Sequence, residues 1–392
     1  MKTIAFYLPQ FHAIPENDEW WGKGFTEWVN VKKAEPLYDG HYQPRVPLGE
    51  KYYNLLDIDV MKWQVSLAKE YGLYGFCFYH YWFGGHKLLE KPVDAFLEHT
   101  EIDFPFCLCW ANEAWTNAWV SSKNKVLIEQ NYGAQQEWKE HFEYLLPFFK
   151  DKRYIRCDGK PLMVIYRPEL IDCLNDMLDC WQQLAKENGL DGLTFAYQQV
   201  FFAEEKSKDD SRFTYQIEYQ PSYAWRDMEK GGYKFLSKCK KKLITGMENR
   251  WNKLSESSKQ KMWGRTFESV LDRLRDVHPQ GLTVQDYDMV WKTVLNRKPT
   301  NEKSVPGAFV DWDNTPRRHQ SGRVFEGASP EKFEKYMTIQ IRRAKEVYHK
   351  DMLFLFAWNE WAEGGYMEPD EKYGHAYLEA LRNALKANGE DC

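Results

Sequence analysis

Short apolar runs rich in β-branched and aromatic residues recur along the chain: Ile4 to Leu8, Tyr74 to Tyr81, Phe104 to Trp110, Leu162 to Tyr166, Leu193 to Val200, Phe213 to Tyr219, Gly307 to Asp311 and Met352 to Trp358. Each has the length of a buried strand, and many are separated by enough residues for a helix. Two intervals carry a clear helical stripe. Ile58, Met61, Val65 and Ala68 fall on one face after Asp57, which can cap. Phe333, Tyr336, Met337, Ile341 and Ala344 follow Ser329-Pro330, and Ser at the cap with Pro at the first helical position is a good helix start. Eight strands alternating with helices predict an α/β fold, and the count favours a (β/α)8 TIM barrel over a doubly wound sheet. No glycine-rich phosphate motif supports a nucleotide-binding sheet, since Gly22-Lys23-Gly24 lacks the rest of either common pattern.

One segment breaks the rhythm. From Arg226 to Lys303 there are 18 Lys plus Arg against 10 Asp plus Glu, a net of +8 in a chain of net −5. Residues 226–303 are therefore predicted to be a helical, basic insertion after the sixth strand, within a single catalytic domain spanning residues 1–392. Trp251, Leu254, Trp263, Phe267, Val270, Leu271 and Leu274 among polar neighbours suggest helices standing over one end of the barrel. Such helices are either a solvated cap or a lid that meets an anionic polymer or a membrane surface.

Composition narrows the class. Apolar residues make up 43% and charged residues 28%, so the chain can bury a core unaided. The longest stretch without Asp, Glu, Lys or Arg, Tyr71 to His86, is too short and too rich in Gly and His for a membrane helix, so no transmembrane segment is expected. The start, MKTIAFYLPQF, has no small-residue cleavage site and reads as a first strand. Eight scattered Cys with no CxxC pair fit reduced, structural thiols and a cytoplasmic location. The modest net charge gives no reason to expect nucleic acid, and nothing in the pattern sets an oligomeric state. Phe, Trp and Tyr reach 16%, with 17 Trp. These rings either fill a large core or offer flat faces with a polar edge, as a sugar partner requires.

In this fold, catalytic groups gather where strands end. The last run leads into WNEWAEGGYMEPD, which places Asn359, Glu360, Trp361 and Glu363 within five residues. Two carboxylates three apart on a turn can face the same way and divide acid and base work, if only one is desolvated. Other strand ends supply candidate substrate contacts: Tyr7 and Gln10 after the first run, then Trp28 and Glu27 in the loop WWGKGFTEW; Tyr79 and His80 in the second run; Trp110, Asn112 and Glu113 after the third, with Trp115 and Trp119 as a sugar platform or a buried helix face; and Tyr166, Gln198, Glu218, Asp311 and Arg317 farther on. The ten His include no HExxH, and no GxSxG elbow occurs, so neither a metal nor any other cofactor is expected.

The segments FYLPQFHAIPENDEWWGKGFTEW, YGFCFYHYWFGG, FPFCLCWANEAWT and FAWNEWAEGGYMEPD resemble the WbsX-like proteins of bacterial polysaccharide gene clusters over nearly the whole chain. These are similar to glycoside hydrolase family 99, the endo-acting α-mannosidases and mannanases, through NEWAEG read against that family's NEWHEG and a looser likeness around PGAFVDWDNTPR. The resemblance implies a (β/α)8 barrel acting on a polysaccharide or oligosaccharide. It gives Glu360 the role of base toward the substrate's own 2-hydroxyl and Glu363 that of general acid, with a 1,2-anhydro sugar intermediate, net retention and no metal. Ala362 stands where the pattern has His, which implies a different contact and a different sugar. A glycosyltransferase or transglycosylase of surface-polysaccharide synthesis, and a sugar-binding protein on a retired scaffold, are the alternatives.

Overall fold

The structure, a computed structural model, describes residues 1–116, 126–201, 209–230, 246, 250, 253 and 281–390. All eight apolar runs form strands: β1 Lys2–Tyr7, β2 Gly75–Phe83, β3 Phe106–Trp110, β4 Lys160–Ile165, β5 Thr194–Gln199, β6 Tyr215–Glu218, β7 in two halves, Ser304–Val305 and Gly307–Phe309, and β8 Met352–Phe356. They pair in parallel in chain order, and β8 returns to β1 with Lys2 opposite Met352 and Ala5 opposite Leu355. Closure depends on β7. Its first half pairs with β6 and its second with β8, and Pro306 between them has no N–H to give to either ladder. Gly is required at this seam because a Cβ on residue 307 would lie 1.8 Å from the Glu218 carbonyl oxygen. The nearly closed sheet is the (β/α)8 barrel that the strand count predicts.

The helices are α1 Pro15–Trp21, α2 Glu27–Lys33, α3 Ile58–Glu70, α4 Lys91–Glu98, α5 Gln135–Lys150, α6 Leu174–Glu187, α7 Ser222–Lys230, α8 Tyr287–Asn296, α9 Thr315–Arg318, α10 Pro330–Glu346 and α11 Ala376–Lys386. The two striped segments form as expected: the Asp57 carboxylate accepts from the Asp59 N–H at 3.0 Å ahead of α3, and Ser329 Oγ from the Lys332 N–H at 3.3 Å ahead of α10. Phe333, Tyr336, Met337, Ile341 and Ala344 of α10 are all buried.

Side chains along a strand alternate between the barrel interior and the layer beneath the helices. Phe6 points inward, its ring 5.7, 5.3 and 5.5 Å from those of Tyr79, Tyr219 and Phe354. Tyr7 points outward and donates a 2.7 Å hydrogen bond to Gln64 on α3. Of the predicted insertion, the hydrophobic positions from Trp251 to Leu274 lie outside the described residues. Its later part belongs to the barrel: Trp291 of α8 is fully buried and stacks on Phe309 of β7 at 4.6 Å. Among the described residues, no helix is long and apolar enough to cross a membrane.

Candidate active site

Beyond β8 the chain makes a two-residue strand, Asn359–Glu360, a single 3₁₀ turn, Trp361–Glu363, and a returning strand, Gly365–Tyr366, antiparallel to the first. Gly364 between turn and return has φ +70°, and a Cβ there would sit 2.8 Å from the Asp313 nitrogen. Only Gly meets both conditions without strain. The Asn359 side chain clamps the end of β1, accepting from the Leu8 N–H at 2.8 Å and donating to the Leu8 carbonyl at 3.0 Å. The Asp313 N–H donates to the Glu363 carbonyl at 2.7 Å, and the Asp313 carboxylate is held by Gln43 at 2.6 Å, Thr315 at 2.6 Å and His41 at 2.9 Å. Below the turn, the Glu368 carboxylate accepts from Trp361, Tyr53 and Gln64 at 2.6–2.8 Å, and burial pushes it up to about 7. The backbone carrying Glu360 and Glu363 is thus tied to β1, to the loop after β7 and to the loop between α2 and α3.

The pair opens into a pocket of about 370 Å³. Arg317 at the end of α9 spans its floor. The guanidinium lies 2.6 Å from Glu363 Oε1, 3.1 Å from Glu27 Oε2 and 3.4 Å from Glu360 Oε2. Burial works against its charge, yet the three carboxylates hold Arg317 protonated well above the usual range. Burial raises both catalytic candidates: Glu360 is pushed up to about 8, with the neighbouring Glu363 charge adding to the effect and Arg317 opposing it, and Glu363 is raised with Arg317 again opposing. Trp21, Phe25, Tyr81, Phe83 and Trp115 supply the apolar wall, while Tyr79, Tyr166, Tyr219 and Glu113 face it from the barrel side.

Of the residues named from the sequence, Gln10, Glu27, Tyr79, Glu113, Trp115, Tyr166, Arg317, Glu360 and Glu363 line this one pocket. The others do not. His80 and Trp110 point outward, as strand alternation demands of neighbours of inward Tyr79 and Cys109; His80 Nε2 lies 2.8 Å from His141 Nε2, and Trp110 packs on His141 at 4.8 Å. Tyr7 is outward for the same reason. Trp28 lies behind Glu27, donating to the Tyr53 carbonyl at 2.8 Å. Asn112 brackets the Arg167 backbone, with both bonds at 2.7 Å. Gln198 lies deep in the barrel against Cys109, and Asp311 is paired with Arg45 at 2.8 Å. Asn359 and Trp361 support the turn rather than face the pocket; Trp361 stacks on Tyr366 at 3.8 Å. Trp119 lies outside the described residues.

Sequence reasoning passed over Tyr219, which closes the sixth run with the parity of an inward residue and lines the pocket. Among the described residues, no group of three or more His, Cys, Asp or Glu is placed to hold a metal ion.

The fold is a (β/α)8 barrel in which Glu360 and Glu363 lie just beyond the carboxyl end of the last strand, where such barrels carry their sites. The chain belongs to the family described as Glycosyltransferase WbsX, whose model matches residues 3–381. It is 36% identical over 385 residues to the uncharacterized protein WxcX from two strains of Xanthomonas campestris pv. campestris, covering 97% of this chain and 49% of WxcX. The chain therefore spans about half the length of these curated relatives. Two solved structures share the fold at low identity. The GH99 endo-alpha-mannosidase from Bacteroides thetaiotaomicron superposes with a TM-score of 0.51 at 13% identity, covering 99% of this chain and 98% of that one. A glycoside hydrolase-like protein gives 0.55 at 12% identity, covering 98% and 93%.

Proposed function

We propose that the chain is a glycoside hydrolase acting inside a mannose-type or related polysaccharide with retention, Glu363 protonating the leaving oxygen and Glu360 activating the substrate's 2-hydroxyl. One observation carries this function: two buried glutamates, three residues apart on the turn after the last barrel strand, line one pocket and share one guanidinium. Acid–base chemistry on a glycosidic bond needs one carboxyl protonated and one ionised at working pH. Burial of a close pair favours that single proton. Glu363 is the nearer to Arg317, so the guanidinium favours the ionised form of Glu363 and leaves the shared proton to Glu360. Catalysis in the proposed direction requires that proton on Glu363, from which it passes to the leaving oxygen, while the ionised Glu360 accepts the proton of the sugar's 2-hydroxyl. The aromatic wall of Trp21, Phe25 and Trp115 gives sugar rings faces to stack on.

The test is product analysis on mannans and bacterial surface polysaccharides without added nucleotide sugar, using wild type, Glu360→Gln and Glu363→Gln. Wild type is expected to shorten the polymer, and each variant to lose about 10² to 10⁴-fold in rate. An aryl glycoside whose leaving group needs no proton restores Glu363→Gln but not Glu360→Gln. Restoration of Glu360→Gln instead exchanges the two roles, and wild-type rates in both variants remove the pair from the chemistry.

The family's description favours a second reading, transfer of a sugar rather than hydrolysis. A nucleotide diphosphate that raises the melting temperature would support it, since a ligand specific to the folded state stabilises by mass action.

A further inference from the structure

Three carboxylates, not two, meet at Arg317. Glu27 makes both of its contacts through Oε2, at 3.1 and 3.2 Å; Glu360 uses Oε2 and Glu363 uses Oε1. All three residues line the pocket. Glu27 is only 3% exposed and opens α2, where its N–H is fixed to the Gln10 carbonyl at 3.1 Å, so its carboxylate is placed rather than mobile. Charge is out of balance at this floor. Among the described lining residues, Glu27, Glu360 and Glu363 stand against Arg317, while Glu113 is paired with Arg167. Arg318 adds a more distant positive charge near Glu363, and the remaining walls contribute phenols, those of Tyr79, Tyr81, Tyr166 and Tyr219. A proton on Glu360 lessens the excess negative charge without removing it.

We propose that Glu27 is a third carboxylate of the active site, accepting a hydroxyl of the bound ring, and that it makes the reacting subsite select uncharged sugars over sugars bearing a carboxylate or phosphate. This rests on the reading of the pocket as a carbohydrate site. Ring hydroxyls donate readily to carboxylate oxygens, and such charge-assisted bonds are stronger than neutral ones. An anionic substituent among three partly desolvated carboxylates meets repulsion that bulk water would otherwise screen. Glu27 is also coupled to the pair itself, because its charge favours protonation of both Glu360 and Glu363.

The experiment uses the full chain as wild type, Glu27→Gln and Glu27→Asp, with three probes of one skeleton: methyl α-mannoside, mannuronate and the protonated iminosugar 1-deoxymannojirimycin. Binding is read by ligand-observed NMR, and titration of the pair by ¹³C-glutamate NMR. Wild type is expected to bind the cation at least tenfold tighter than the neutral ring and the anion weakest. Glu27→Gln narrows the span between cation and anion about tenfold and lowers the titration midpoint of Glu360; Glu27→Asp keeps the order. Equal affinities for all three probes in wild type, or a Glu27→Gln protein with unchanged ranking and midpoint, overturns the inference and leaves the carbohydrate site standing. Wild type that binds none of the three, with a midpoint that still falls in Glu27→Gln, overturns the carbohydrate reading and with it the selectivity.

Discussion

Glu360 sets the behaviour of the molecule with pH. A carboxyl whose ordinary value is 4.5 and whose folded value is about 8 binds its proton more tightly in the native than in the unfolded chain. Its contribution to stability is full below about pH 4.5 and is lost as pH rises through about 8. Glu218 and Glu368, each pushed up to about 7 by burial, act in the same direction. Glu360→Gln keeps the neutral shape and removes the ionisation. The variant is expected to melt higher than wild type at pH 9, by an amount on the order of 2 to 4 kcal/mol, with the gap shrinking toward pH 5. A thermal melt series across that range checks it, and a gap that is the same at every pH places the proton elsewhere. At this scale the sequence was legible in its motifs and illegible in its parity. The E-x-x-E of NEWAEG names the pair, but nothing local tells Tyr79 from His80 until the direction of β2 about its own axis is fixed by Cys77 and Tyr79 packing inward. Glu27 could be named with its loop, but its pairing with Arg317, 290 residues away, could not be read from the sequence.

The element that makes the site is the turn from Asn359 to Tyr366, and its geometry comes from contacts distant in sequence. Gly364 supplies the left-handed residue that lets the turn fold back, with the Asp313 nitrogen and the Arg45 guanidinium packed against its missing side chain. Gly364→Ala adds about 1 to 2 kcal/mol of backbone strain to that collision, so a loss of at least about 2 kcal/mol is expected. Urea unfolding should show a lower midpoint with unchanged slope, and the rate should fall further than stability explains, because Glu363 rides on the same turn. Activity retained in full would mean that the turn tolerates displacement. The strands were legible because fully buried parallel strands read as continuous apolar runs. The turn was legible only as a Gly-Gly pair: that Gly365 must also be Gly, since a Cβ there would lie 2.1 Å from the Phe356 ring, follows from tertiary packing alone.

For the molecule as a whole, the question is what the basic segment contributes to a barrel that already closes. We propose that residues 1–392 form one domain and that the insertion is an addition to it. The chain before and after the segment is joined directly. Arg297 bonds the Tyr223 hydroxyl at 2.6 Å and pairs with Asp227, while Glu218 at the end of β6 lies 3.0 Å from the same guanidinium. Gln285 Nε2 reaches Met228 Sδ at 4.0 Å, which brings the ends at residues 230 and 281 within the span of a short linker, about 33 Å for ten residues. Replacing residues 233–278 by ten Gly and Ser residues is therefore expected to leave a cooperative transition within a few degrees of wild type. Cleavage of a small aryl glycoside should persist, and cleavage of a long polysaccharide that carries anionic groups outside the reacting subsite should fall and lose its salt dependence, if the segment's net positive charge holds the polymer. A shortened protein that fails to fold would make the segment part of the core; one that cleaves polymer as wild type does at every salt concentration would make it a solvated cap. Strand count and charge could mark where the segment lies, since both are sums over many residues. Composition does not separate α8 from the segment before it, since both carry the same mix of Trp, Val and Lys, and it is the stacking of Trp291 on Phe309 that ties α8 to the barrel.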